Sequence, residues 1–312
     1  MTVARFDLLA LGEPMVEFNQ TREAEGMYVQ GFGGDTSNCA IAAARLGAQA
    51  AYVTRLGDDT LGRAFLQLWR REGVDASGVA IDPDAPTGVY FVSHGSAGHE
   101  FSYLRAGSAA SRMRPADLPL DLIRAASVLH LSGISQAISA SACDACFAAM
   151  EVARASGVKV SYDTNLRLKL WPLSRARAII RASLAMTDWA LPSLDDAKLL
   201  FQREEPDAIV ESCHSAGARL VVLRCGAGGC VVSDGRRREH IAGHRVAAVD
   251  ATGAGDCFDG AFAARIVAGD DPFTAARYAN AAAALATTGY GAVSPLPRHA
   301  EVEALLKQRA AA

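Results

Sequence analysis

Long apolar runs are missing from this chain. No stretch approaches the roughly 20 residues of a membrane-spanning helix, and the apolar segment Met1 to Leu11 is broken by Arg5 and Asp7. Neither a membrane span nor a signal peptide is expected. Concentrated charge is missing as well. Net charge is −3, and no run of like charge exceeds Arg236-Arg237-Arg238, so neither a nucleic-acid partner nor a membrane surface is expected. That triplet reads as a solvated hairpin turn. Cysteine is sparse: seven residues, an odd number without regular spacing, fit a reducing, cytoplasmic setting better than a disulfide framework. Cys143 and Cys146 form a Cys-x-x-Cys pair with no second pair near it. They read as small apolar positions of a helix, with a redox or metal role as the alternative. The seven histidines do not cluster with acids, and His130 reads as a satisfied histidine on a buried strand. Two phosphate-binding signatures are also absent. No Gly-Lys-Ser or Gly-Lys-Thr follows a glycine-rich turn, and the first apolar strand leads into Gly12-Glu13-Pro14 rather than Gly-x-Gly-x-x-Gly. A Walker-type loop and a dinucleotide-dependent oxidoreductase are therefore disfavoured.

What is present is a chain of 312 residues, half of them hydrophobic, enough to bury the core of one large α/β domain spanning residues 1–312. Short β-branched or aliphatic runs (Leu8 to Leu11, Ala51 to Thr54, Val128 to Leu131, Val158 to Tyr162, Trp189 to Leu191, Leu220 to Leu223) alternate with helical patterns. The latter cover Thr36 to Leu46, Leu61 to Glu72, Ser139 to Ala155, Ser174 to Met186 and Asp195 to Phe201. This alternation predicts an α/β fold with a doubly wound, mainly parallel sheet and helices on both faces. Two segments interrupt it, about 13–34 and 87–107, the second with alternating Val89, Phe91, Phe101 and Tyr103. They read as one small antiparallel β lid over the ends of the parallel strands, where open α/β folds bind ligands.

The most informative segment is Asp250-Ala251-Thr252-Gly253-Ala254-Gly255-Asp256. Behind it, Phe258, Ala261, Phe262 and Ile266 recur at helical spacing, so the free N–H groups of a helix start belong to Gly253, Ala254 and Gly255. The helix dipole and side chains no larger than methyl suit close approach by a phosphate. A carboxylate beside such a cradle is wrong for holding an anion and right for taking a proton from an attacking alcohol. Asp256 is read as the general base of a phosphoryl transfer. The alternative is a glycine-rich helix start with an acidic first turn.

Four constellations resemble one family, the ribokinase-like (phosphofructokinase-B) carbohydrate kinases. Gly33-Gly34-Asp35-Thr36-Ser37-Asn38, followed by Ala40, Ala44, Leu46 and Gly47, is similar to the family's N-terminal signature. Asp250 to Asp256 is similar to its C-terminal one. Asp163-Thr164-Asn165-Leu166-Arg167 and Gly226-Ala227-Gly228-Gly229 occur between them in the family's order. The resemblance runs from about Leu8 to about Pro297. It implies a ribokinase-like fold, ATP as co-substrate and Mg²⁺, with a monovalent cation left open. ATP would lie over Gly226, Ala227 and Gly229, near Asn165, Ser193, Gly253 and Gly255, with Asn280 by the adenine or else an exposed helix residue. Asp163 and Asp196 would hold the metal through water, with Asp163 read alternatively as a strand-end turn cap, while Lys198 would be a helix-surface charge that does not touch phosphate. Two positions depart from the family pattern: Ala251 replaces the usual threonine, and Ser193-Leu194-Asp195-Asp196 stands where Asn-x-x-Glu is usual.

Gly34, Asp35 and Asn38 would bind sugar hydroxyls. Gly12 to Gln20 and Phe101 to Ser111 look like the 2-keto-3-deoxygluconate kinase subgroup, in which Tyr90, Tyr103, Arg105 and Arg167 would surround an acidic sugar. Guanidinium forks suit a carboxylate. The tyrosines and Arg105 read alternatively as lid residues facing solvent or a subunit partner. The expected activity is ATP-dependent phosphorylation of the terminal hydroxyl of 2-keto-3-deoxygluconate. A fructokinase or ribokinase is the runner-up, and a catalytically idle sugar sensor is the alternative from another class. Unpaired lid edges imply a homodimer through the lid.

Overall fold

The computed structural model describes residues 5–21, 26–95 and 98–310; residues 22–25 of the first expected lid segment and 96–97 of the second lie outside them. In chain order the first half holds β1 (Phe6–Leu11), β2 (Met15–Gln20), β3 (Tyr28–Gly33), α1 (Asp35–Arg45), β4 (Ala50–Gly57), α2 (Thr60–Glu72), β5 (Asp75–Asp82), β6 (Gly88–Gly95) and β7 (Gly98–Leu104). Next come α3 (Leu120–Arg124), β8 (Ala126–Ser132), α4 (Gly133–Ala137), α5 (Ala140–Ala155), β9 (Lys159–Asp163), α6 (Leu173–Leu184) and β10 (Trp189–Ala190). The chain then forms α7 (Leu194–Phe201), α8 (Pro206–Ser215), β11 (Leu220–Arg224), β12 (Cys230–Ser233), β13 (Arg238–Ile241), α9 (Ala254–Val267), α10 (Pro272–Ala286) and α11 (His299–Ala310).

Nine strands form the main sheet in the order β13-β12-β11-β10-β9-β8-β1-β4-β5. All neighbours from β11 to β5 pair parallel, and only β11-β12 and β12-β13 are antiparallel. Successive residues of a strand feed opposite layers. Leu8 and Ala10 of β1 join one core with α1, α2, α9 and α10, whereas Leu9 and Leu11 join the other with α5, α6 and α8. Strands buried on both faces explain the unbroken apolar runs of the sequence. The chain winds outward from β1 through β4 to β5, then returns to β8 on its other side. That reversal opens a crevice at the carboxyl ends of β1, β8 and β9.

The lid is a four-stranded sheet in the order β3-β2-β6-β7. Each lid segment is an antiparallel hairpin, and the inner strands β2 and β6 join them in parallel. β5 and β12–β13 were not read from the sequence. The Arg236–Arg238 triplet forms the turn and start of β13, Arg237 pairing with Glu239 and Arg238 with Glu211. Cys143 and Cys146 are buried and free on α5. His130 is buried on β8, with Nδ1 3.1 Å from Ser161 Oγ, and burial pushes its pKa down to about 4. No helix among the described residues is long and apolar enough to cross a membrane.

Candidate active site

Two helices begin at the crevice, and both begin on glycine. α1 starts after Gly34 and α9 after Gly253, neither with a side-chain cap, whereas α2, α4, α5, α7 and α10 are capped by Asp59, Ser132, Ser139, Ser193 and Asp271. A first turn without a side-chain cap leaves N–H groups to an outside acceptor, but not all three that the sequence suggested: the N–H of Ala254 donates to Ala251 O at 3.2 Å, closing the turn that precedes α9, which leaves Gly253 and Gly255. Gly253 has φ 78°, and a Cβ there would lie 2.8 Å from the Ala292 carbonyl oxygen, so only glycine fits. The preceding loop is shaped by Asp250, which accepts from Thr252 N at 2.9 Å and Gly291 N at 3.0 Å. The first three residues of α9 are half-buried and the next eight, Cys257 to Ala264, are buried. Complete burial of a side chain such as Phe262 contributes about 1.5–3 kcal/mol, which holds the helix without a cap. Against α1 it packs closely: a Cβ on Gly260 would sit 2.3 Å from Cys39 O.

The carboxylates meet here. Asp256, in the first turn of α9, accepts from Asn38 Nδ2 of α1 at 2.8 Å. Desolvation, then the nearby charges of Asp35 and Asp163, raise its pKa to about 7. Asp35 accepts from Ser132 Oγ at 2.5 Å and from Asn165 Nδ2 at 2.9 Å, and burial pushes its pKa up too. Asn165 holds φ 29°, a left-handed value that asparagine tolerates better than most residues. Its N–H reaches Asp163 at 3.1 Å. Asp196 accepts from Leu166 N at 3.0 Å, and burial with the Asp163 charge raises its pKa. Asp163, Asp196, Asp35, Asn38, Asn165 and Asp256 thus surround one crevice. The Asn38 carbonyl oxygen is buried there without a hydrogen-bond partner.

The lid residues are placed differently from one another. Tyr90 is buried opposite Tyr103 across β6–β7, with ring centroids 6.0 Å apart, and its hydroxyl donates to Glu17 at 2.5 Å. Arg105 lies 5.9 Å from the Tyr103 ring centroid but spends its Nη2 on the buried Glu13, which also accepts from Ser108. It is not the free fork that the sequence suggested. Arg167 is exposed and donates to its neighbour Leu166 O. Ser193 serves as the N-cap of α7, accepting from Asp196 N at 3.3 Å. Gly226, Ala227 and Gly228 form an exposed turn after β11, with Gly229 at its end. Asn280 is buried rather than exposed, its Nδ2 3.4 Å from Cys230 Sγ and 3.5 Å from Ile241 O. Lys198 pairs with Glu204 at 3.0 Å, as a surface charge would.

Sequence reasoning missed Arg224, Asp259 and the role of Glu13. Arg224 donates to Asp163 at 2.6 Å and to Asp259 at 2.9 Å. For two of these a signal existed: Asp259 is a lone acid in the apolar run Cys257 to Ala264, and Arg224 ends an apolar strand just before a glycine turn. The groove between α6 and α7–α8, about 890 Å³, contains none of these residues.

A family model described as "pfkB family carbohydrate kinase" matches residues 5–299. The chain is 35% identical to 2-dehydro-3-deoxygluconokinase of Thermoproteus tenax, covering 97% of this chain and 95% of that one. It is 36% identical to probable fructokinase-4 of Arabidopsis thaliana, with 96% of each chain covered. Among solved structures, a putative ribokinase II from E. coli in complex with ATP and Mg²⁺ superimposes with a TM-score of 0.89 at 26% identity, covering 96% and 99% of the two chains.

Proposed function

The chain belongs to the pfkB family of carbohydrate kinases, and from that premise we propose that it transfers the γ-phosphoryl group of ATP to the terminal primary hydroxyl of 2-keto-3-deoxygluconate. The observation that carries this is Asp256, a carboxylate with a pKa raised to about 7 in the uncapped first turn of a buried helix. A base that titrates near neutrality can take a proton and release it again. As the sugar oxygen bonds to the γ-phosphorus, the bond from that phosphorus to the bridging oxygen of ADP breaks, and the hydroxyl proton goes to Asp256. The N–H groups of Gly253 and Gly255 would face the charge that develops on the transferred group, while that of Ala254 is already given to Ala251 O. Asn38, tied to Asp256 through its Nδ2, keeps an unpartnered carbonyl oxygen suited to a sugar hydroxyl donor. Asp35 and Gly34 complete the polyol side.

ATP would lie on the turn Gly226 to Gly229, exposed over its first three residues, and reach the α9 cradle past Asn165 and Ser193, with Asn280 toward the base. Asp163 and Asp196 are hard oxygen donors, and among the described residues no group of three or more His, Cys, Asp or Glu could hold a metal by itself. That set fits a Mg²⁺ that keeps its waters and takes phosphate oxygens as ligands, with Asp163 and Asp196 holding it through water. When bound, such an ion supplies counter-charge for the phosphates. All seven cysteines are unpaired, consistent with the cytoplasm.

The acid-sugar assignment rests on Arg105 with Tyr90 and Tyr103, and the Thermoproteus tenax relative supports it. A neutral sugar is the second candidate, because Glu13 already neutralises Arg105 and a fructokinase is equally similar. A coupled ADP-release assay over 2-keto-3-deoxygluconate, fructose and ribose separates the two. The proposal expects the highest kcat/KM for the keto-deoxy acid. Higher kcat/KM for fructose or ribose would remove the acid sugar and keep the kinase. A charge-assisted hydrogen bond is worth about 1.5–3 kcal/mol, so Arg105→Ala is expected to raise KM for the acid by roughly ten- to a hundredfold. KM for ATP should hardly move, and an unchanged acid KM would remove Arg105 from the sugar site.

A further inference from the structure

Beneath the first turn of α9 lies a cation to which the transfer assigns no part. Arg224, the last residue of β11, has a side chain only 11% exposed. Its Nη2 donates to Asp163 Oδ1 at 2.6 Å, at the carboxyl end of β9, while its Nη1 donates at 2.9 Å both to Gly255 O and to Asp259 Oδ1 on α9. Gly255 immediately precedes the proposed base, and Asp259 follows it by three residues. One planar fork therefore spans the end of a strand and the two sides of the turn that carries Asp256. A lysine, with a single nitrogen, cannot hold three acceptors that diverge in this way. The contact is tight, since a Cβ on Gly255 would lie 2.9 Å from Arg224 Nη1.

Stability alone gives a poor account of this arrangement. Two buried carboxylates face one guanidinium, and both Arg224 Nε and Asp259 Oδ2 remain buried without a hydrogen-bond partner. Buried ion pairs are often no more stable than apolar residues of the same volume, and an incompletely satisfied one is worse. The geometry points instead to register. We propose that Arg224 is a positioning residue, anchored by Asp259, that fixes the first turn of α9 against the end of β9 so that Asp256 meets the substrate hydroxyl. Neither side chain touches a reacting atom. The assignment rests on Asp256 as the base.

The test uses the full chain with Arg224→Lys, which keeps the charge, and Asp259→Leu, which removes the anchor. Turnover is compared at a fixed interval below the melting temperature of each variant. Small displacements at a reacting centre cost up to about a hundredfold, so kcat is expected to fall by roughly ten- to a hundredfold in both. KM for each substrate, and sugar affinity measured by calorimetry without nucleotide, are expected to stay within about threefold. A role in stability alone would lower the melting temperature and leave kcat at that matched interval within about threefold of wild type, and this result would overturn the proposal. If either variant fails to fold, the other decides by the same readout. The conservative Asp259→Asn, which keeps an acceptor oxygen, is the third member of the series and should retain more turnover than Asp259→Leu. Failure of the base itself is a separate result: it would appear as near-normal turnover in Asp256→Asn, whatever Arg224 does.

Discussion

Asp256 shares its surroundings with Asp35 and Asp163, and that crowding sets both its chemistry and its cost to the fold. The pKa, raised to about 7 by desolvation and by those two charges, lies above the value near 4 of an unfolded aspartate. The native state therefore binds the Asp256 proton more tightly than the unfolded chain does. Between about pH 4 and about pH 7 its contribution to stability falls as pH rises, and above that it stays low. Asp256→Asn is expected to lower kcat by roughly 10²- to 10⁴-fold and to raise the melting temperature, more at pH 8 than at pH 5. Turnover above half of wild type, with chemistry limiting, would sink the base; a gain larger at pH 5 would contradict the raised pKa. At this scale the proposed base and the glycine-rich helix start beside it were legible in the sequence because both are local in the chain. Arg224 and Asp259, 35 residues apart, each stand out as a lone charge in an apolar segment, but nothing in either segment names the other as its partner.

The element that organises the site is α9. Apart from Asp256, Asp259 and Arg265 its side chains are small or apolar around the whole helix, so periodicity says little about which face is inward, and its position follows from packing between α1 and α10. The absence of a side-chain cap results from Gly253, whose positive φ ends the preceding loop. Gly255 was expected to matter because a side chain there would meet an incoming phosphate. The structure adds a second reason, the approach of Arg224 Nη1. Gly255→Val is therefore expected to displace Arg224 and cut kcat at least tenfold, of the order found for small displacements of reacting groups, while ATP affinity by titration changes less. Undiminished kcat in a folded Gly255→Val protein would show that the turn has room for a side chain. The lid was legible as strands from its alternation, but the parallel pairing of β2 with β6 was not. Those strands are 67 residues or more apart in the chain, and nothing in either one names its partner.

Across the whole molecule, the site is a consequence of winding order. β1, β8 and β9 lie side by side at the reversal of the sheet, so Glu13 after β1, Ser132 at the end of β8 and Asp163 at the end of β9 converge although they are spread over half the chain. The lid leaves β1 at the same place and returns over it. Its edge strands β3 and β7 expose apolar side chains, Val29 at 61% and Leu104 at 67%. Exposed apolar edges of this kind favour pairing with another chain, which supports the proposed homodimer through the lid. Light scattering is expected to give twice the mass of the 32.7 kDa chain for the wild type and a single mass for Leu104→Asp. A wild type that stays monomeric at micromolar concentration would leave the lid edges unpaired.

The sequence by itself determined the α/β class, the two lid segments, the family and the residues whose chemistry is written within a few positions of one another. Hydrophobic period, glycine placement and a carboxylate at a helix start are local properties, and local physics reads them. Only the tertiary structure decided which charges are spent on each other. Arg105 looked available to a sugar carboxylate until Glu13 was found against it, and Asp163, read only as a holder of metal-bound water, was found paired with Arg224. The physical reason is common to both. A buried charge must find a counter-charge wherever the fold brings one near, and that neighbour is chosen by strand order and helix packing rather than by distance along the chain.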